Sequence, residues 1–229
     1  HYNGGNKTDR YKFVKKVQEL LYENKYNEAV EIIQELTGLN YGSGAYQLLA
    51  DLYLSFSNIN EEKATNYSRA IDMDNAVYEC AFDYEGARHT RTAFANYPSN
   101  TICIKLRSDK PRRICVRLSL DNLQSHNAVR TDENGTLIYE GKLSENNLRY
   151  AAQFRIEKLG GELICSKDSV MVEHADEVII YFTAATDYAP VYPKYRSGKN
   201  PMLTVAKTLD AAQEKGYDKL LSEHVEDYT

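Results

Sequence analysis

Apolar positions recur at helical spacing near both ends of the chain and at strand spacing between them. Phe13, Val14, Val17, Leu20 and Leu21 share one helical face, and Ala29, Ile32, Ile33 and Leu36 repeat that face after a polar break at 24–27. The pattern predicts a helical hairpin over about 10–37. Asp9 and Asn27 are placed to cap its helices and Gly38 to end the second. A Gly/Ser/Asn-rich loop occupies 38–44. Towards the other end, Asn200-Pro201 is a helix start, and Leu203, Ala206, Leu209 and Ala212 form a stripe that closes at Gly216. A last helix carries Tyr217, Leu220, Leu221, His224, Val225 and Tyr228.

Residues 45–75 fit two templates. Leu48, Leu49, Leu52, Tyr53 and Phe56, continued by Ala64, Tyr67 and Ala70, imitate the helix pair of a tetratricopeptide repeat, which would make the chain a helical-repeat scaffold. Leu48, Ala50, Leu52, Leu54 and Phe56 also alternate with Asp51, Tyr53, Ser55 and Ser57; Tyr67, Arg69, Ile71 and Met73 then alternate with Ser68, Ala70, Asp72 and Asp74. That is the period of a half-buried strand. The segments beyond residue 75 favour the sheet. Segments 78–84 and 88–95 flank Asp83-Tyr84-Glu85-Gly86, and 101–107 and 114–120 flank Ser108-Asp109-Lys110-Pro111. Further candidates lie at 128–131, 136–140, 148–158, 162–166, 169–173 and 177–185, with turns at Asn134-Gly135, Gly160-Gly161 and Lys167-Asp168. No repeat period of about 34 residues continues past 75. About ten to twelve short strands predict a mainly β fold, an antiparallel β-sandwich with a helical hairpin near the N-terminus and helices at the C-terminus.

Charge narrows the function classes. The 28 Lys+Arg against 33 Asp+Glu leave a net charge of −5, with no basic surface for nucleic acid. No apolar run approaches the roughly 18 residues of a membrane span. The first residues lack the basic and apolar blocks of a secretory signal, and the last apolar helix face runs out with the chain. That unfinished face and the polar, capless N-terminus suggest a longer natural polypeptide, and extracellular, periplasmic and cytoplasmic bacterial settings all stay open. Cys80, Cys103, Cys115 and Cys165 form no C-x-x-C pair and sit in strand-like contexts, so free buried thiols are expected, with one or two disulfides the alternative. The five histidines show no metal-binding spacing; no metal and no cofactor is expected.

Catalytic constellations are equally sparse. There is no G-x-S-x-G elbow and no Ser/His/Asp grouping. Asp72/Asp74 and Asp83/Glu85 fall at strand alternation or in a turn and read as solvated or structural; His89 and His174 lie within strand patterns, and Arg91 reads as a structural ion-pair partner. The conspicuous feature is 19 Tyr with no Trp. Tyrosine suits half-buried surfaces. The one long irregular segment, 186–200, has Tyr188, Tyr192 and Tyr195 at its centre. These rings are candidates for stacking on sugar, although packing at a domain interface is the commoner use of such a loop.

Several strings together resemble glycoside hydrolase family 95, the inverting α-L-fucosidases. Ala45-Tyr-Gln-Leu-Leu-Ala-Asp-Leu-Tyr-Leu-Ser-Phe56 resembles the family's S-Y-Q-P-L-G-D-L-Y-L-x-F segment, and Ala70-Ile-Asp-Met-Asp-Asn-Ala-Val77 its L-D-L-x-x-A-x segment. His89-Thr-Arg-Thr-Ala-Phe-Ala-Asn-Tyr-Pro98 is similar to Y-x-R-E-x-F-x-S-x-P. Ala175-Asp-Glu-Val178 with Thr183-Ala-Ala-Thr-Asp-Tyr188 is similar to G-A-D-E-V…A-A-x-T-x-Y, and 216–228 to G-Y-x-x-L-x-x-x-H-x-x-D-Y. The matches run in order over about 11–228. Leu48 and Ala50 depart from the family's Pro and Gly.

The resemblance implies an N-terminal β-super-sandwich over 1–200 and the start of a helical linker over 201–229, leading to an (α/α)6 catalytic barrel. The family's first sandwich strands have no counterpart here. Inversion needs an acid and an activated water on opposite faces of the sugar, and the family's groups for this lie in the barrel. None carries over, so the chain alone is expected to be inactive. The implied partners are that barrel and terminal α-L-fucosyl groups of oligosaccharides, with α-L-galactosides a variant. Tyr46 and Gln47, in the best-matching string, join Tyr188, Tyr192 and Tyr195 as candidate substrate or interface residues. The alternatives are the sandwich domain of another glycosidase or phosphorylase and a free-standing carbohydrate-binding module.

Overall fold

The computed structural model describes residues 9–36, 48–121, 128–144, 146–192 and 194–229. They form two bodies, a helical hairpin near the N-terminus and a larger β-rich body spanning Leu49–Leu143 and Leu148–Thr229. The hairpin joins α1 (Lys12–Tyr22) to α2 (Tyr26–Leu36). Val17, Leu20 and Ala29 are buried between the helices, as the heptad-like spacing requires. The expected caps are not used. Tyr11 occupies the N-cap of α1 without a side-chain bond, and α2 begins at Tyr26, which puts Asn27 inside the helix. Gly38 lies outside the described residues.

Twelve strands are present among the described residues: β1 Asp51–Phe56, β2 Thr65–Asp72, β3 Val77–Tyr84, β4 Ala87–Asn96, β5 Thr101–Ser108, β6 Ile114–Asp121, β7 Ala128–Thr131, β8 Leu137–Lys142, β9 Arg149–Leu159, β10 Glu162–Cys165, β11 Ser169–Ala175 and β12 Glu177–Thr186. Segment 45–75 therefore contributes strands, and the repeat scaffold is excluded. Two antiparallel sheets result, one ordered β1-β6-β11-β10 and one ordered β2-β3-β4-β5-β12-β9-β8-β7. The β3–β4 turn shows the local logic. Glu85 and Gly86 have φ of 47° and 72°, both left-handed, as a two-residue hairpin matched to strand twist demands. Tyr84 then pairs with Ala87.

The sheets close on one apolar core. Leu118, Val116 and Val172 from the smaller sheet meet Leu106, Val178, Ile180, Leu137 and Tyr139 from the larger. Each such side chain contributes about 1.5–3 kcal/mol relative to exposure. A third layer covers the opposite face of the larger sheet. It consists of α3 (Pro201–Lys215) and α4 (Tyr217–Tyr228), whose Leu209, Ala212, Tyr217 and Leu220 bury against Val77, Phe94, Cys103 and Tyr181. Asn200 caps α3 by accepting from the Met202 amide at 3.0 Å, and Pro201 comes next, at the position where its missing N–H costs nothing. The buried stripe of α3 is Pro201, Val205, Leu209 and Ala212, not the one led by Leu203, which is exposed.

All four cysteines are free; Cys80, Cys103 and Cys115 are buried and Cys165 is exposed. Burial and the nearby Glu157 carboxylate push the Cys103 thiol up to about 12.

Candidate functional site

The loop that leaves β12 is built around one carboxylate. Asp187 is 4% exposed, and its Oδ1 accepts from the Arg149 amide at 3.1 Å while its Oδ2 accepts from Arg149 Nε at 2.9 Å. Arg196 Nε approaches the same carboxylate at 3.5 Å. A carboxylate between two guanidinium groups is held more firmly than a neutral acceptor would be, because each hydrogen bond carries charge at both ends. The backbone adds to this. Asp187 O accepts from Ser197 N at 2.7 Å, Tyr188 bridges to Arg196, and Arg149 Nη2 donates to Lys199 O at 3.0 Å. The two ends of the irregular segment are thus tied together and to the start of β9.

Between those ties the tyrosines project. Tyr192 and Tyr195 lie edge to face, with ring centroids 6.2 Å apart and planes at 83°. Tyr195 is held at φ 51°, in the left-handed region that a β-carbon disfavours, and its amide donates to Val191 O at 2.8 Å. Tyr192 is 73% exposed and Tyr188 45%. Of the residues singled out in the sequence, the structure brings Tyr192 and Tyr195 into contact and sets Tyr188 at the edge of the same loop. Tyr46 and Gln47 lie outside the described residues. The loop can offer an exposed aromatic face, but the described residues around it place no acid and base across a pocket.

The other suspected polar residues are structural. Asp72 accepts from Asn75 Nδ2 and from the Asp74 and Asn75 amides, which hold its carboxyl below the usual range. Asp83 accepts from Asn66 and pairs with Arg88, with the same effect. His89 is buried, stacked on Phe82 at 5.1 Å. Desolvation, then the Arg91 and Arg113 charges, depress its imidazole. His174 sits at φ 54° in a bulge of β11 and donates its amide to Cys115 Sγ at 3.3 Å. Arg91 differs from its sequence reading. No carboxylate among the described residues pairs with it; its guanidinium lies over the Phe56 and Phe82 rings at 4.2 and 5.2 Å.

The helices seat on the sheet through polar as well as apolar contacts. Thr92 Oγ1 and Tyr217 OH are 2.8 Å apart, Asn96 Nδ2 donates to Leu220 O at 2.6 Å, and Lys105 Nζ lies 4.3 Å from the Tyr217 ring. Tyr181 OH donates to Glu157 at 3.0 Å. Burial pushes the Tyr181 and Tyr217 hydroxyls up, so both keep their protons. Asp187, Arg149 and Arg196 were not singled out in the sequence. The available signal was an Asp directly after an apolar strand.

The described residues form a three-layer sandwich that carries a clamped tyrosine loop, and the comparisons give that sandwich a family. The family model described as "Glycosyl hydrolase family 65, N-terminal domain" matches residues 2–191. The chain belongs to that family. The matching description carries the number 65 rather than the 95 drawn from the motifs, while the fucosidase kinship comes from relatives. "Probable alpha-fucosidase A" of Aspergillus niger is 27% identical over 239 residues, which cover 99% of this chain and 29% of that protein. "Alpha-L-fucosidase 2" of Arabidopsis thaliana is 22% identical over 93% of this chain and 28% of that protein. The chain therefore spans under a third of the length of these relatives. Among solved structures, "Putative kojibiose phosphorylase from human microbiome" superposes with a TM-score of 0.54 at 12% identity, over 77% of this chain and 27% of that one. That likeness concerns the fold.

Proposed function

We propose that this chain is the N-terminal, non-catalytic sandwich domain of an α-L-fucosidase-like glycoside hydrolase. In this reading residues 1–200 form the sandwich domain, and α3 and α4 begin the connection to a helical-barrel catalytic domain. The loop at 187–200 faces that barrel and shapes the approach of a fucosylated oligosaccharide. The observation that carries the reading is the Aspergillus niger relative, similar along nearly the whole of this chain yet more than three times its length. The Asp187 clamp supports it too, because a loop tied by ion pairs to one buried carboxylate presents the tyrosines in one arrangement without a partner's help.

The test is an α-L-fucosidase assay on a fucosylated trisaccharide, with and without inorganic phosphate. The 229-residue chain alone releases no sugar, whereas the polypeptide that joins it to a barrel releases free L-fucose independently of phosphate. Fucose release by the chain alone would sink the proposal. A second reading, the sandwich domain of a phosphorylase, is favoured by the kojibiose phosphorylase likeness; it requires phosphate-dependent formation of a sugar phosphate.

A further inference from the structure

The larger sheet has eight strands and the smaller four, and at one side this mismatch leaves a cleft. Strand β2 is exposed along nearly its whole length. Among the described residues, β1 and the connection after it line the cleft opposite β2, β3 and β4. The cleft has a volume of about 730 Å³ and is lined by Phe56, Tyr67, Tyr78, Phe82, Arg91 and Glu61, among others. That lies within the range of small-molecule sites, about 300–1,000 Å³.

Arg91 gives the cleft its chemistry. Its guanidinium carbon lies 4.2 and 5.2 Å from the centroids of the Phe56 and Phe82 rings. A cation–π contact of this kind does not by itself use up the guanidinium's fork of N–H donors. No hydrogen bond or ion pair uses that fork among the described residues. A carboxylate matches the guanidinium fork at two points, which a neutral acceptor does not. Tyr67 and Tyr78 supply aromatic walls on which the C–H face of a pyranose can rest. Glu61, exposed on the rim, repels a second negative charge.

We propose that this cleft binds a carboxylate-bearing monosaccharide, a uronate with a single charge, with Arg91 as the carboxylate's partner and Tyr67 and Tyr78 as the ring's walls. The site goes beyond the proposed fucosidase role and involves none of the loop at 187–200. Titration calorimetry of the 229-residue chain with D-galacturonate, D-galactose and acetate tests it. Galacturonate binds at least about tenfold more tightly than either of the others. Arg91→Gln lowers that affinity about tenfold or more, and Arg91→Lys, which keeps the charge and loses the fork, falls between. Because Arg91 also bridges two aromatic rings, Tyr67→Ala serves as a second variant. Tyr67 is 64% exposed, so its loss leaves the melting temperature unchanged and weakens galacturonate binding severalfold. Equal affinity for galactose and galacturonate, acetate binding as tightly as the sugar acid, undiminished binding in Arg91→Gln or Tyr67→Ala, or no galacturonate binding would each overturn the proposal.

Discussion

Asp187 shows how much one side chain can organise. Its carboxylate is 6% exposed while the paired Arg149 side chain is 47% exposed. Asp187→Ala is expected to cost about 2 kcal/mol, less than the roughly 3–5 of a fully buried pair because water already reaches one partner. Hydrogen exchange at 187–199 should accelerate in the variant, with the sheet amides unchanged. His89 makes a pH-dependent case. Its folded pKa is depressed, chiefly by burial and then by Arg91 and Arg113, against a smaller raising effect of Asp109. The unfolded chain therefore binds the proton more readily. The contribution of neutral His89 is complete above about pH 6.5, the unfolded value, and is lost as pH falls through the folded one. Urea melts between pH 7.5 and 5 should show stability declining towards acid, and His89→Phe should flatten that decline. Thiol chemistry is site-selective in the same way. One cysteine, Cys165, should react with an aromatic disulfide reagent in the native chain and all four after denaturation, since the others are buried.

Elements obey the sequence where neighbours leave no choice. The β3–β4 hairpin and the Asn200-Pro201 start were legible because turn and cap chemistry is local. Asn200→Ala should cost about 1 kcal/mol in a thermal or urea melt. The face of α3 was not legible. Stripes through Leu203 or Val205 both include Leu209 and Ala212, and only the sheet beneath decides between them. Leu209→Ala is expected to cost about 2–5 kcal/mol and to loosen α3 without unfolding the sandwich. Strand β2 teaches a related point. Its alternation is real, yet it is exposed on both faces, since burial depends on what lies across a sheet and not on period. Arg91 was misread for a similar reason, because the Phe56 ring that it meets belongs to the other sheet.

For the whole molecule, strand number and the mainly β class could be read from turns and alternation alone. How the strands divide between sheets could not, since β6 leaves the hairpin series to pair with β1 and β11, while β5 pairs with the distant β12. Such long-range pairings depend on the summed burial of both partners and leave no local mark. The tyrosine loop was visible as an irregular stretch; the clamp that shapes it was not, because Arg149 lies 38 residues away from Asp187. The tyrosine excess serves both ends, since Tyr139 and Tyr181 are fully buried while Tyr192 and Tyr97 are exposed. In the proposed role, the chain holds a fucosylated sugar only jointly with a catalytic barrel. Titration calorimetry of this chain with a fucosylated oligosaccharide tests that most directly. The account predicts no affinity tighter than about 1 mM, whereas a dissociation constant near 1 μM would make the chain a sugar-binding module in its own right and contradict it.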